Sequence, residues 1–208
     1  MRMLKPVNCF TKKCFSLLWL FLVASCASIS SIPEDKYFPL TIQTPIPLTA
    51  PFPVNAVIAV ERFQSETLYE DRSIVYSLAK QPGELLQYHY HHWTESLPSL
   101  VQTRLIDFLR EANFAAYVVH EGYSSYPDYV ISGQIKSFVY VINKERGRVD
   151  VSLVFQIQKD LQPVFLKEYD KSVEIIPPGI YRASEGFGNA VYQIFETFVV
   201  DASGLFNE

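Results

Sequence analysis

Cys26 is the side chain best placed to do chemistry in this sequence, because of what precedes it. A basic start with Arg2, Lys5, Lys12 and Lys13 leads into an apolar run from Phe15 to Val23 and then into small residues, the order of a secretion signal. The run is shorter than the roughly 20 apolar residues a membrane-spanning helix needs. Val23-Ala24-Ser25-Cys26 resembles the bacterial lipobox, in which the thiol takes a thioether-linked diacylglycerol before a peptidase cleaves in front of it. Residues 1–25 are then a lipoprotein signal peptide and Cys26 opens the mature chain. Two or more acyl chains hold a protein firmly to a bilayer, where one holds it only marginally. The alternative is an ordinary cut after Ser25 or Ala27, which leaves an unpaired thiol in an oxidising compartment. In a Gram-negative host, Ala27 rather than Asp after the cysteine resembles the pattern that permits transfer to the outer membrane, so the outer membrane is favoured over the inner.

A second group lies in Tyr88-His89-Tyr90-His91-His92-Trp93. On a strand, His89 and His91 share one face as two metal ligands can, but a site needs a third or fourth ligand, and His92 points the other way. The plainer reading is a partly exposed, hydrogen-bonded strand surface, and no metal or cofactor is expected. Tyr88, Tyr90 and Trp93 are candidates to contact a lipid or a partner, against the commoner role of such aromatics in core or cross-strand packing. Arg72 is a further candidate contact, either paired with Glu70 or Asp71 or buttressing its loop. Gly186-Phe187-Gly188 lacks the strand-to-helix context of a phosphate loop and reads as a flexible helix start. No Gly-x-Ser-x-Gly elbow, His-Glu-x-x-His pair or Walker loop is present, so no catalytic residue is assigned and the chain is expected not to be an enzyme.

The whole chain carries 18 basic and 22 acidic residues, and removal of the signal takes four basic and no acidic ones, leaving a net charge of −8. Such a protein gains nothing from the phosphate attraction that dominates nucleic-acid binding, so nucleic acid is excluded as a partner. Cys9 and Cys14 leave with the signal, so the mature domain has neither a disulfide framework nor a cysteine metal site. Its fold must rest on an apolar core.

The elements that position these residues follow from periodicity. Residues 26–53 are Ser-rich and then interrupted by Pro33, Pro39, Pro45, Pro47, Pro51 and Pro53, which favours an extended tether, with residues 36–42 apolar enough for an edge strand. The domain is expected over residues 54–202, with a short tail at 203–208. Ala56–Val60 has the continuous apolar pattern of a strand buried on both faces. Ser73–Leu78 and Leu85–Trp93 flank Pro82-Gly83, a turn signal, and form a hairpin. Leu97, Leu100, Val101, Leu105 and Phe108 recur at helical spacing after Ser96, with Pro98 in the first turn. Strands follow at Ala115–Val119, Tyr129–Ile142, Val149–Gln158 and Phe165–Val173; the third alternates most cleanly. Phe187, Val191, Ile194, Phe195 and Phe198 place a last helix. The class expected is α+β: a mixed, largely antiparallel sheet packed with two main helices in a single domain.

With these motifs in view, residues 36–200 are similar to the ABC-type transport auxiliary lipoprotein family. The resemblance rests on the lipobox, the short Tyr37 strand, Val57-Ile58-Ala59-Val60, Tyr69 to Tyr76 with Arg72, and the Tyr88 to Trp93 run leading into the Pro98 helix. More loosely, it includes strands around Asp128 to Gly133. It implies a non-enzymatic accessory lipoprotein in the periplasm, docking to an MCE-domain protein and its ABC permease and ATPase in lipid transport, or bridging membranes. Phospholipid and further copies of the chain are secondary candidate partners. An envelope assembly or structural lipoprotein and a periplasmic lipid carrier are the alternatives; the carrier needs an apolar cavity.

Overall fold

The computed structural model describes residues 33–48, 54–124 and 126–206. Cys26 and the signal segment lie outside the described residues. The chain from Asp35 onward gathers into one compact unit of α+β class.

Its frame is β7 (Tyr129–Ile142), where β-branched and aromatic residues dominate the strand. One side of β7 pairs along its length with antiparallel β8 (Gly147–Lys159), which in turn carries antiparallel β9 (Gln162–Ile175) as an outer strand. The other side is shared among shorter parallel strands. Residues Tyr129–Ile131 pair with β2 (Val54–Val60), Gln134 and Ile135 with β3 (Gln64–Ser65), and Tyr140–Ile142 with β4 (Ser73–Leu78). The sheet therefore forks. One branch ends in β6 (Ala115–His120) beside β2; the other runs through β5 (Leu86–Trp93) to β1 (Lys36–Phe38). Among the described residues this makes a nine-stranded mixed sheet, whose longest ladders are the antiparallel ones.

Among the described residues three helices accompany it: α1 (Thr67–Glu70), α2 (Leu97–Glu111) and α3 (Ile180–Ser203), the last running into a 3-10 turn at Gly204–Phe206. The apolar stripe of α2 packs on β2 and β6, and that of α3 on β8 and β9. Between sheet and helices the space is filled by aromatic rings. Phe138 stacks on Phe187 at 4.4 Å, with Trp93 edge-on to both, and Phe155 stacks on Phe198 at 4.3 Å. Such offset and edge contacts each add about 0.5–1.5 kcal/mol beyond the area they bury. No helix among the described residues is long and apolar enough to cross a membrane.

Several details depart from the sequence reading. Two short elements, β3 and α1, lie outside that reading. The last helix begins at Ile180, so Gly186, Phe187 and Gly188 lie two turns inside α3 and are buried there, not at a flexible start. The expected tether also ends early, because residues 35–48 belong to the domain. Leu40 is fully buried, Ile42 and Leu48 pack against the core, and the Leu48 amide donates to the Ala112 carbonyl at 2.9 Å. Leu40 and Pro45 are buried along this arm, whereas Ile46, between Pro45 and Pro47, is exposed.

Candidate functional site

The place where sequence-predicted residues converge is the edge formed by β1, β5 and the first turns of α3. β1 is three residues long and pairs in parallel with His91–Trp93 of β5. Pro39 ends it, since proline cannot continue the ladder. The arm beyond is fastened at several points. The Thr94 amide donates to the Phe38 carbonyl at 3.1 Å, and Gln43 Nε2 donates to Asn189 Oδ1 of α3 at 3.1 Å. Phe38 is buried edge-on to Tyr181, 5.3 Å between centroids. The Thr41 carbonyl lies against Gly188 so closely that a Cβ there would overlap it. Glycine is thus required at 188 by the approach of another backbone.

Between the outer edge of β1 and α3 runs an open groove of about 510 Å³ lined by Lys36, Tyr37, Phe38, Thr41, Tyr181 and Glu185, among others. Tyr37 and Tyr181 are both exposed. Each carries a cation over its ring: the Arg72 guanidinium 5.7 Å from Tyr37 and the Lys36 ammonium 5.9 Å from Tyr181. His92 lies 5.7 Å from Tyr37, and its Nε2 is 3.6 Å from an Asp35 carboxylate oxygen. On the other side, His91 sits 5.8 Å from Phe38 and 5.2 Å from Tyr88. Burial first, and then the nearby Lys36 and His92, lower the His91 pKa and favour its neutral form. The edge thus offers aromatic faces, cations and an outer strand edge that pairs only with β5 among the described residues, which are means of docking a partner.

The structure separates the predicted contact residues into two kinds. Arg72 is exposed at this edge, but it stacks on Tyr37. Its expected partner Glu70 is held by Arg62 at 2.8 Å and by Ser65, bonds that lower the Glu70 pKa, while Asp71 accepts from the Arg72 backbone amide at 2.6 Å. Tyr90 is also exposed. Trp93 is not a contact residue: at 1% exposure it sits inside the Phe138–Phe187 cluster. Tyr88 is half-buried, 4.4 Å from Tyr76, and burial raises its pKa to about 12, so it supports the edge from behind. Among the described residues, no further histidine, cysteine or carboxylate joins His89 and His91 in a metal-holding group.

Lys36, Tyr37 and Tyr181 were missed as site residues. The visible signal was a cation followed by two aromatics in Lys36-Tyr37-Phe38; nothing local to Tyr181 marks it, because its neighbours come from far along the chain.

No protein-family model matches this sequence, and no curated protein matches it. Its fold is similar to that of protein XCC0632 from Xanthomonas campestris, of family-model DUF330, with a TM-score of 0.69 at 14% identity, covering 79% of this chain and 93% of that one. It is also similar to an uncharacterized protein whose crystal structure gives a TM-score of 0.58 at 10% identity, covering 81% of this chain and 99% of that one. At these identities the likeness establishes the fold: the forked sheet and its two packed helices form an architecture already known in a bacterial protein.

Proposed function

We propose that this chain is a non-enzymatic accessory lipoprotein of an MCE-type envelope lipid transporter, anchored through Cys26 and docking through the β1–α3 edge. The observation that carries the reading is Val23-Ala24-Ser25-Cys26, ten residues upstream of Lys36. That motif gives the chain a lipid anchor, and Phe38, Thr41 and Gln43 of the arm meet Tyr181, Gly188 and Asn189 of α3, which fastens the arm to the domain. The exposed Tyr37 and Tyr181, each with its cation, supply the amphipathic anchors that protein interfaces favour. Ala27 after the cysteine supports the outer membrane as destination. Within the domain, stacked rings fill the space between sheet and helices, which supports docking over carriage of an enclosed lipid.

The test is affinity purification of the full-length protein from gently solubilised membranes, with partners identified by mass spectrometry and Cys26→Ser as control. Recovery of an MCE protein with its ATPase and permease is the expected result. Recovery of pore or assembly proteins in their place would transfer the chain to envelope assembly, and recovery of no partner would end the accessory reading.

A further inference from the structure

At the end of the sheet where β7 finishes, several turns meet. The β4–β5 turn (79–85), the β7–β8 turn (143–146) and the segment between β9 and α3 (176–179) lie together, since Leu78 pairs with Ile142 and Ile175 with Gly147. Leu78, Leu85 and Ile176 are 36%, 43% and 55% exposed there. Between the first two turns lies an open groove of about 500 Å³ lined by Leu78, Lys80, Gln81, Ile142, Asn143 and Lys144. Its floor is apolar and the charges lining it are both positive. Glu84 and Glu145 belong to the same turns but do not line it. Arg146, by contrast, is 3.9 Å from Glu174, whereas no ion pair engages Lys80 or Lys144 among the described residues.

The chain also enters the domain from this side. β1 runs parallel to β5, with Lys36 opposite His91, and β5 starts at Leu86, the residue paired with Tyr76 beside the turns. The start of β1 therefore faces these turns. Counted at about 3.3 Å per strand residue, the level of Lys36 lies roughly 20 Å from that of Ile142. The ten residues from Cys26 to Lys36 can span about 31 Å in polyproline form, enough to place the acylated end at or beyond the plane of the turns. The opposite end of the sheet is also rich in exposed apolar residues, Tyr126 and Leu161 among them. Its groove, however, is lined by Asp128 and Asp160 beside Lys159, which disfavours phosphate, and the arm leads away from it.

We infer that the turn cluster of Leu78, Leu85 and Ile176 rests in the headgroup layer of the bilayer that holds the anchor, with phospholipid phosphates at Lys80 and Lys144. The interaction orients the domain, so that β6 and the β8–β9 turn point into the periplasm. Apolar side chains enter the interface while lysines meet anionic headgroups, the pairing that draws peripheral proteins to such surfaces. This inference rests on the lipid-anchor reading.

The experiment uses the full-length lipoprotein reconstituted in vesicles containing phosphatidylglycerol and headgroup-level nitroxide quencher. An environment-sensitive fluorophore is attached to Leu85→Cys or, separately, to Leu161→Cys. Quenching at 85 with none at 161 is expected, and reversal of that quenching when Lys80→Glu and Lys144→Glu are added. Equal emission at both sites in vesicle-bound protein, or quenching at 161 alone, overturns the orientation while leaving the anchor standing. Quenching at 85 that persists in the double glutamate variant overturns the phosphate contacts. Release of the protein from vesicles by alkaline carbonate overturns the anchor and the orientation with it.

Discussion

Gly188→Ala tests whether the N-terminal arm is truly part of the domain, because opposing effects act at that position. Alanine is favoured over glycine inside a helix by about 1 kcal/mol, and Gly188 is well inside α3, so propensity alone predicts stabilisation. Against this, the new Cβ would overlap the Thr41 carbonyl. That oxygen belongs to the backbone of the arm and cannot rotate away as a side chain would. Overpacking of this kind costs about 1–3 kcal/mol. Relief by lifting the arm uncovers Leu40, whose burial contributes about 1.5–3 kcal/mol. An overlap this close with backbone lies toward the upper end of the overpacking range, so both routes exceed the propensity gain, and a net destabilisation of about 0.5–2 kcal/mol is expected. It reads out as a lower urea midpoint, with faster amide exchange confined to residues 36–44. Two controls fix the interpretation. At Gly186 the Cβ would meet Ile175 Cδ1, the end of a flexible side chain, so a smaller loss is expected. At Gly204 nothing lies within 4 Å and the backbone is right-handed helical at φ −61° and ψ −28°, so alanine should be neutral or stabilise by about 0.4–1 kcal/mol. A Gly188→Ala midpoint equal to or above the wild type would refute the docked arm.

Trp93→Ala should destabilise by about 3–5 kcal/mol in urea unfolding, the range for emptying a buried aromatic site; a change below about 1 kcal/mol would return Trp93 to the surface. Tyr37→Ser combined with Tyr181→Ser should cut recovery of the transporter partner while shifting stability only slightly, since both rings are exposed; undiminished recovery would move the docking site elsewhere. Asp201 accepts from Lys167 Nζ at 2.7 Å and Tyr169 Oη at 2.8 Å, which lowers its pKa below the ordinary 3.8. A carboxylate with a depressed folded pKa stabilises above the unfolded value and loses that contribution as pH falls through the folded one. Asp201→Asn should therefore lower stability at neutral pH, by less than about 1 kcal/mol for a partly exposed pair. The difference should shrink below pH 3.8; a difference constant across that range in acid titration of the melting midpoint would exclude the ion pair as its source.

What could be read from the sequence was whatever repeats locally. The alternation along β8, the Pro82-Gly83 turn, and the stripe of Leu97 to Phe108 each report burial through one element's own period, and the corresponding elements stand where that period puts them. β3 and α1 are too short to contain a period. The start of α3 escaped because its first turns carry Tyr181, Arg182 and Ser184 on an exposed side, so the apolar stripe becomes dense only at Phe187. The fork of the sheet had no local trace at all: β2, β3 and β4 share one side of β7 only because of long-range register. The same limit governs the candidate site. Cys26 could be proposed from the sequence because a lipobox is a contiguous motif, and it lies outside the described residues. The docking edge is assembled from residues 36, 72, 92 and 181, far apart along the chain. Trp93 shows the converse, because its aromatic strand suggested a contact surface while Phe138 and Phe187 hold its ring in the core. β5 is divided between a buried Trp93 and exposed His89 and Tyr90, and the arm adds Tyr37 to the exposed part, 5.7 Å from His92. That addition ties the stability of the arm to the availability of the site: if Gly188→Ala releases the arm, Tyr37 moves with it, and partner recovery should fall together with the protection of residues 36–44.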